Sequence, residues 1–176
     1  MLYFQTLQFT NATKLNDPFD CHPKLLEYSN VPDSYSKVYP EDFVKAAAEN
    51  KHMEYMASSW VCSLSKECGA TQMWAYYGGH KGVCLELDME RVADAIKQCQ
   101  KKYWFGHMYF FPPLDVNYSD ISCKPDCFKN LGDLMQYQLT TKDKRWEHEQ
   151  EVRLIVMNPN GQLMKLPFKP KNRGDN

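Results

Sequence analysis

The run Trp146-Glu-His-Glu-Gln-Glu-Val-Arg-Leu-Ile-Val156 sets three charged side chains at every second position. A β-strand turns alternate residues to one face, so Glu149, Glu151 and Arg153 are expected on the same side. Two carboxylates and a guanidinium are costly to bury unpaired. That face is therefore either solvated or the lining of a cleft. The apolar Leu154-Ile155-Val156 that follows carries the far half of the strand toward a core. The charges then stand at the mouth of a buried strand. Glu149 and Glu151 are candidate catalytic groups there, and Arg153 a candidate substrate contact.

Three further segments could help build a site. In Ser58-Ser-Trp-Val-Cys-Ser-Leu-Ser65 the hydroxyls of Ser63 and Ser65 fall on one face of a strand. Serines at a strand end explain that pattern equally. In Trp74-Ala-Tyr-Tyr77-Gly-Gly-His80 the residues Trp74 and Tyr77 are neighbours on a helix, and the glycines after them permit close approach or positive φ. Such an aromatic wall could stack a nucleobase or nicotinamide, or close a corner of the core. Asn16-Asp17-Pro18 is an ordered turn, because Asn and Asp bond their own backbone and Pro forbids helix just before it. Asn16 and Asp17 become candidate ligand contacts only in combination with the other blocks.

Several chemistries lack their signatures. His22, His52, His107 and His148 have no partner at triad spacing, and no cysteine is flanked by an informative motif. There is no Gly-x-Gly-x-x-Gly and no Walker-type phosphate loop. The seven cysteines are an odd number in a chain large enough to build a core, which implies free thiols in a reducing compartment and hence a cytoplasmic setting. Cys123-Lys-Pro-Asp-Cys127 has near-ligand spacing for zinc, but a structural site wants a matching second pair, so no metal is expected.

The elements that must position these groups follow from periodicity and punctuation. Strands are predicted over 2–9, 58–64, 83–87, 103–111, 114–118 and 149–157. Helices are predicted over 41–56, 70–77, 89–101 with Asp88 as cap, and 126–139. Asn158-Pro-Asn-Gly161 reads as a hairpin turn, with 162–168 returning beside 149–157. Strands and helices mix without a regular βαβ alternation. The fold class is α+β, a mixed or antiparallel sheet with helices packed on it.

The length of 176 residues fits one domain, expected over 1–168 with a polar tail at 169–176. A net charge of -1 gives no strong nucleic-acid signal, since dedicated binders show a basic balance or face. No apolar run approaches a membrane span, and no membrane association is expected.

Taken together, three blocks resemble a bacterial domain-of-unknown-function family, number 2971. They are Leu15-Asn-Asp-Pro-Phe-Asp20; Cys62-Ser-Leu-Ser65 with Met73-Trp-Ala-Tyr-Tyr77 and His80-Lys-Gly-Val-Cys-Leu-Glu-Leu-Asp88; and Trp146-Glu-His-Glu-Gln-Glu-Val-Arg-Leu154. The resemblance spans about residues 7–156. The family opens on a Tyr-Lys-Tyr-Arg-like or His-Tyr-like strand that this chain does not show, so its first strand is expected to be truncated. A fainter likeness is to mono-ADP-ribosyltransferases of the Arg–Ser–Glu type, in which a Ser strand precedes a Glu-x-Glu strand. Here Ser63-Leu-Ser65 precedes Glu149-Gln-Glu151, though the early Arg is missing and Leu64 replaces the usual middle residue. That likeness implies NAD as substrate. It gives Glu151 the ribose and the oxocarbenium-like transition state, Glu149 the acceptor, Ser63 the nicotinamide pocket and Trp74 or Tyr77 the stacking. The alternatives are a non-catalytic binding or sensing module in bacterial defence or stress response, with Asn16, Asp17, Glu149, Glu151 and Arg153 as a fold-fixing polar network, and a metal-dependent hydrolase or nuclease.

Overall fold

A computed structural model describes residues 6–102, 108–129, 132–158 and 165–167. Its centre is an antiparallel pair, β3 (Ser59–Ser65) against β8 (Glu151–Met157), in register from Ser59↔Met157 to Ser65↔Glu151. A short β2 (Thr10–Asn11) extends the β3 edge. Two short strands, β4 (Tyr109–Phe110) and β5 (Leu114–Asp115), pair along the other edge of β8. The fold is α+β, as the mixed pattern predicts.

Both faces of this sheet are covered. Trp60, Cys62, Leu154 and Val156 on one face meet Leu7, Phe9, and Val92 and Ile96 of helix α4 (Met89–Lys102). Val61 and Ile155 on the other meet Met56 of helix α2 (Glu41–Ala57), Ala12, Cys21, and Leu139 of helix α5 (Leu134–Thr140). Because β8 is covered twice, its alternation is not apolar-in and polar-out. Glu151 and Arg153 continue the Ile155 face, so their charges point into a covered layer.

Local chemistry sets the element ends. Asp88 accepts from the backbone of Glu90 and Arg91 and caps α4. Helix α3 (Thr71–Gly78) ends at Gly79 in the left-handed region, φ 52°, a conformation that costs glycine little. A four-residue helix, α1 (Asp33–Ser36), lies inside the proline-rich loop before α2.

Several expectations are corrected. Residues 83–87 form no strand: Val83 and Leu85 are exposed, so most of the apolar face of this alternation has no core to bury against. The helix expected from Asp126 begins at Leu134 instead. Asp126 turns its carboxylate onto the backbone N–H groups of Phe128, Ser29 and Asn30, and this local bonding competes with a helix. Asp133 then supplies the cap, accepting from Gln136 N at 2.9 Å. The last strand, β9 (Lys165–Pro167), does not return beside β8 but pairs antiparallel with β1 (Thr6–Gln8). The segment 114–118 splits into β5 and β6 (Asn117–Ser119), which runs parallel to β7 (Thr141–Asp143). The strand starts expected at 2–5 and 103–107, the turn and return expected over 159–164, and the tail 169–176 lie outside the described residues.

Candidate functional site

The charged motif does not enter its strand straight. Residues 144–149 form a 3₁₀ segment, opened by Asp143, whose carboxylate accepts from Arg145 N at 2.9 Å. Gln150 ends it in the left-handed region, φ 42°. Glu149 therefore stands on the 3₁₀ turn, not on the strand as the alternation predicts. The kink nevertheless returns it to the same cluster as Glu151 and Arg153.

That cluster is closed. Arg153 has no exposed surface, and its fork meets Asp20 twice, Nη1 to Oδ1 at 2.8 Å and Nη2 to Oδ2 at 2.6 Å. Its Nε donates to Glu151 at 2.7 Å and Nη1 also to the Leu139 carbonyl at 2.7 Å. Lys142, from β7, donates to Glu149 at 2.5 Å and to Glu151 at 3.2 Å, with Asp20 3.7 Å away. Tyr77 donates to the second oxygen of Glu149 at 2.7 Å. Three carboxylates thus face two cations. Burial would raise Glu151, but Arg153 and Lys142 outweigh it and hold its carboxyl below the usual carboxylate range. Burial would likewise discharge Lys142, and the surrounding carboxylates reverse that and push its ammonium upward. Burial and the bond to Glu149 push the Tyr77 hydroxyl up to about 12.

Above this base opens a cleft of about 350 Å³, lined by Asp17, Phe19, Tyr76, Arg145, Trp146 and His148 among others. Lys142 lies 4.9 Å from the Trp146 ring centroid, a cation–π contact that ties the indole to the charged base. His148 stacks on Trp146 and meets Tyr76 edge-on. Its Nδ1 lies 3.1 Å from the Arg145 carbonyl, which can only accept, so Nδ1 carries a proton, and in the neutral ring Nε2 is an acceptor. That Nε2 is shielded from water and has no partner among the described residues. An orphaned buried acceptor beside a cleft asks for a ligand donor.

The structure brings the three sequence blocks together. Asp17 lines the cleft, and its carboxylate accepts from Phe19 N at 3.0 Å to shape the turn. Asn16 reaches the Tyr77 hydroxyl at 3.4 Å. Ser63 lies opposite Arg153 in the sheet. Ser65 donates to the Glu149 carbonyl at 2.8 Å. Trp74 is not at the cleft: its indole donates to the Cys68 carbonyl at 2.8 Å and ties down the loop before α3, while Tyr76 lines the cleft. Sequence reasoning missed Asp20 and Lys142, which no spacing links to Arg153; Phe19, Tyr76, Trp146 and His148, which lie inside the blocks it read; and Arg145, which directly precedes one of them.

Residues 73–154 match the family model of a protein of unknown function, DUF2971. The resemblance read from the residues is borne out over that stretch, which spans α3, the 3₁₀ segment and the charged half of β8. No curated protein and no solved structure matches the chain. Among the described residues, no helix is long and apolar enough to cross a membrane, and no three His, Cys, Asp or Glu side chains converge to hold a metal.

Proposed function

We propose that this DUF2971 domain is a binding module for a small nucleotide, seated in the cleft over Trp146. The observation that carries the reading is His148 Nε2, a buried ring nitrogen left unpartnered among the described residues beside stacked aromatic rings. Base–aromatic stacking supplies about 1–3 kcal/mol per base. Tyr76 and Trp146 offer such surfaces, His148 Nε2 and Asp17 would accept from N–H groups of a heterocycle, and Arg145 would meet a phosphate. The charged network below is the platform in this reading: its groups bond one another, as the buried members of a fixed scaffold do.

A thermal shift and calorimetric titration with AMP, ADP-ribose and NAD test this. Binding by at least one of them, weakened tenfold or more in Trp146→Ala and Arg145→Ala, is the expected outcome. Heats and melting temperatures indifferent to all three overturn it.

One observation favours a second reading, NAD-dependent ADP-ribosyl transfer. The Ser strand and the Glu-bearing strand are direct neighbours, with Ser65 opposite Glu151 and Ser63 opposite Arg153. In that reading Glu151 stabilises the positive charge developing on the ribose, after exchanging its contacts with Arg153 and Lys142 for the substrate. NAD turnover lost in Glu151→Gln with the fold intact supports it, and turnover unchanged in that variant removes it.

A further inference from the structure

A second polar constellation lies away from the cleft, where α2, α5 and the turn after Pro125 meet. His52 of α2 is buried, its ring edge-on to Tyr28 and Tyr55. Its Nδ1 is 2.7 Å from Oε1 of Gln138, which has no exposed surface. Its Nε2 is 3.4 Å from the sulfur of Cys127.

The proton positions follow from the ends of the chain. Gln138 Nε2 points at the His22 carbonyl, 3.4 Å away, and a carbonyl only accepts, so the amide nitrogen belongs there and Oε1 faces His52. Oε1 in turn accepts only, so His52 Nδ1 carries the proton. Nε2 is left as a lone pair aimed at a partly buried thiol. This is a nucleophile, a base and a group that orients the base, in hydrogen-bonding sequence.

We propose that Cys127 is a redox-active thiol that exchanges with small-molecule disulfides, with His52 as its general base and Gln138 as the positioning residue. Sulfur chemistry is favoured over acyl transfer by the surrounding backbone. The N–H of Cys127 is given to the Glu27 carbonyl at 2.7 Å and that of Phe128 to Asp126 at 2.9 Å. Neither remains for an oxyanion. Disulfide exchange develops charge only on sulfur and needs a proton acceptor and a proton donor. His52 supplies both. Nε2 takes the proton as the Cys127 sulfur attacks, a new S–S bond forms as the old one breaks, and the imidazolium returns the proton to the departing thiolate. Burial keeps the thiol and the imidazole neutral at rest, raising one and lowering the other. Lys51 and Tyr55 on α2, Asp126 beside the cysteine and Tyr28 are the other titratable groups facing the pair, with Glu49 on α2 acting on Tyr28.

The test is the rate at which each cysteine of the intact chain is modified by glutathione disulfide, resolved by peptide mass spectrometry from pH 5 to about 10. Cys127 is expected to react about tenfold or more faster at neutral pH than the exposed Cys68 and Cys123, the scale of a general-base contribution being about 10²–10⁴ at its fullest. Its profile should rise with deprotonation of His52 and then level. In His52→Gln the excess should vanish and the profile should follow an ordinary thiol. Cys127 slower than Cys68 in the wild-type chain overturns the proposal, even if no His52 variant folds. So does an excess unchanged in His52→Gln.

Discussion

The two buried polar clusters are built on opposite plans. Around Arg153 the charges close on themselves, three carboxylates and two cations bonded to one another and almost wholly enclosed. Around His52 the groups form an open line, from the His22 carbonyl through Gln138 and the imidazole to the thiol of the half-buried Cys127. A closed network has nothing to offer a substrate until it is broken, so its effect falls on stability and on the shape of the cleft above it. An open line ends in a group with unspent capacity, so its effect falls on reactivity.

The comparison is broken first at Arg153. Arg153→Ala leaves Asp20 and Glu151 buried without their partner and should cost about 3–5 kcal/mol, read from urea unfolding. A loss below about 1 kcal/mol would mean that water enters and the cluster is not closed.

Acid should separate the two clusters next. Glu151 is held below its ordinary 4.5, so the folded state binds its proton less readily than the unfolded one. Its contribution is complete above 4.5 and is lost as pH falls through the depressed value. Lys142 behaves oppositely, its raised affinity contributing fully below its ordinary 10.5 and fading only in stronger alkali. The Glu151 contribution should therefore hold through neutral pH and fall away below its ordinary 4.5, beneath the milder loss that the lowered His52 imidazole brings below 6.5, with Glu151→Gln flattening the more acid limb. An acid limb that survives in Glu151→Gln places the titration elsewhere.

The smallest effect sharpens the contrast. Cys127→Ser keeps a hydroxyl within reach of His52 and should change stability by no more than about 0.5 kcal/mol while abolishing disulfide exchange at that position. A larger loss would make the open line a structural element as well.

What was legible in advance came from short-range chemistry. The Glu-x-Glu-x-Arg alternation showed that charges were packed at one strand, and the Asn-Asp-Pro turn, the Asp88 cap and the helix over 41–56 needed only neighbours in the chain. Glu149 was misplaced because a left-handed Gln150 turns strand into 3₁₀ segment, and nothing in the residue type demands it. The 83–87 alternation was sound as a pattern, but Val83 and Leu85 stay exposed and the segment does not join the sheet.

The sequence alone settled the α+β mixture, the charged motif and the family to which the stretch from residue 73 is similar. Only the tertiary structure decided which charges meet. Asp20 and Arg153 lie 133 positions apart, Gln138 and His52 86 apart, and Cys127 and His52 75 apart. No local pattern encodes such a pairing. Burial enforces it, because a charge or amide taken out of water must find its partner wherever the packed layers bring one within reach.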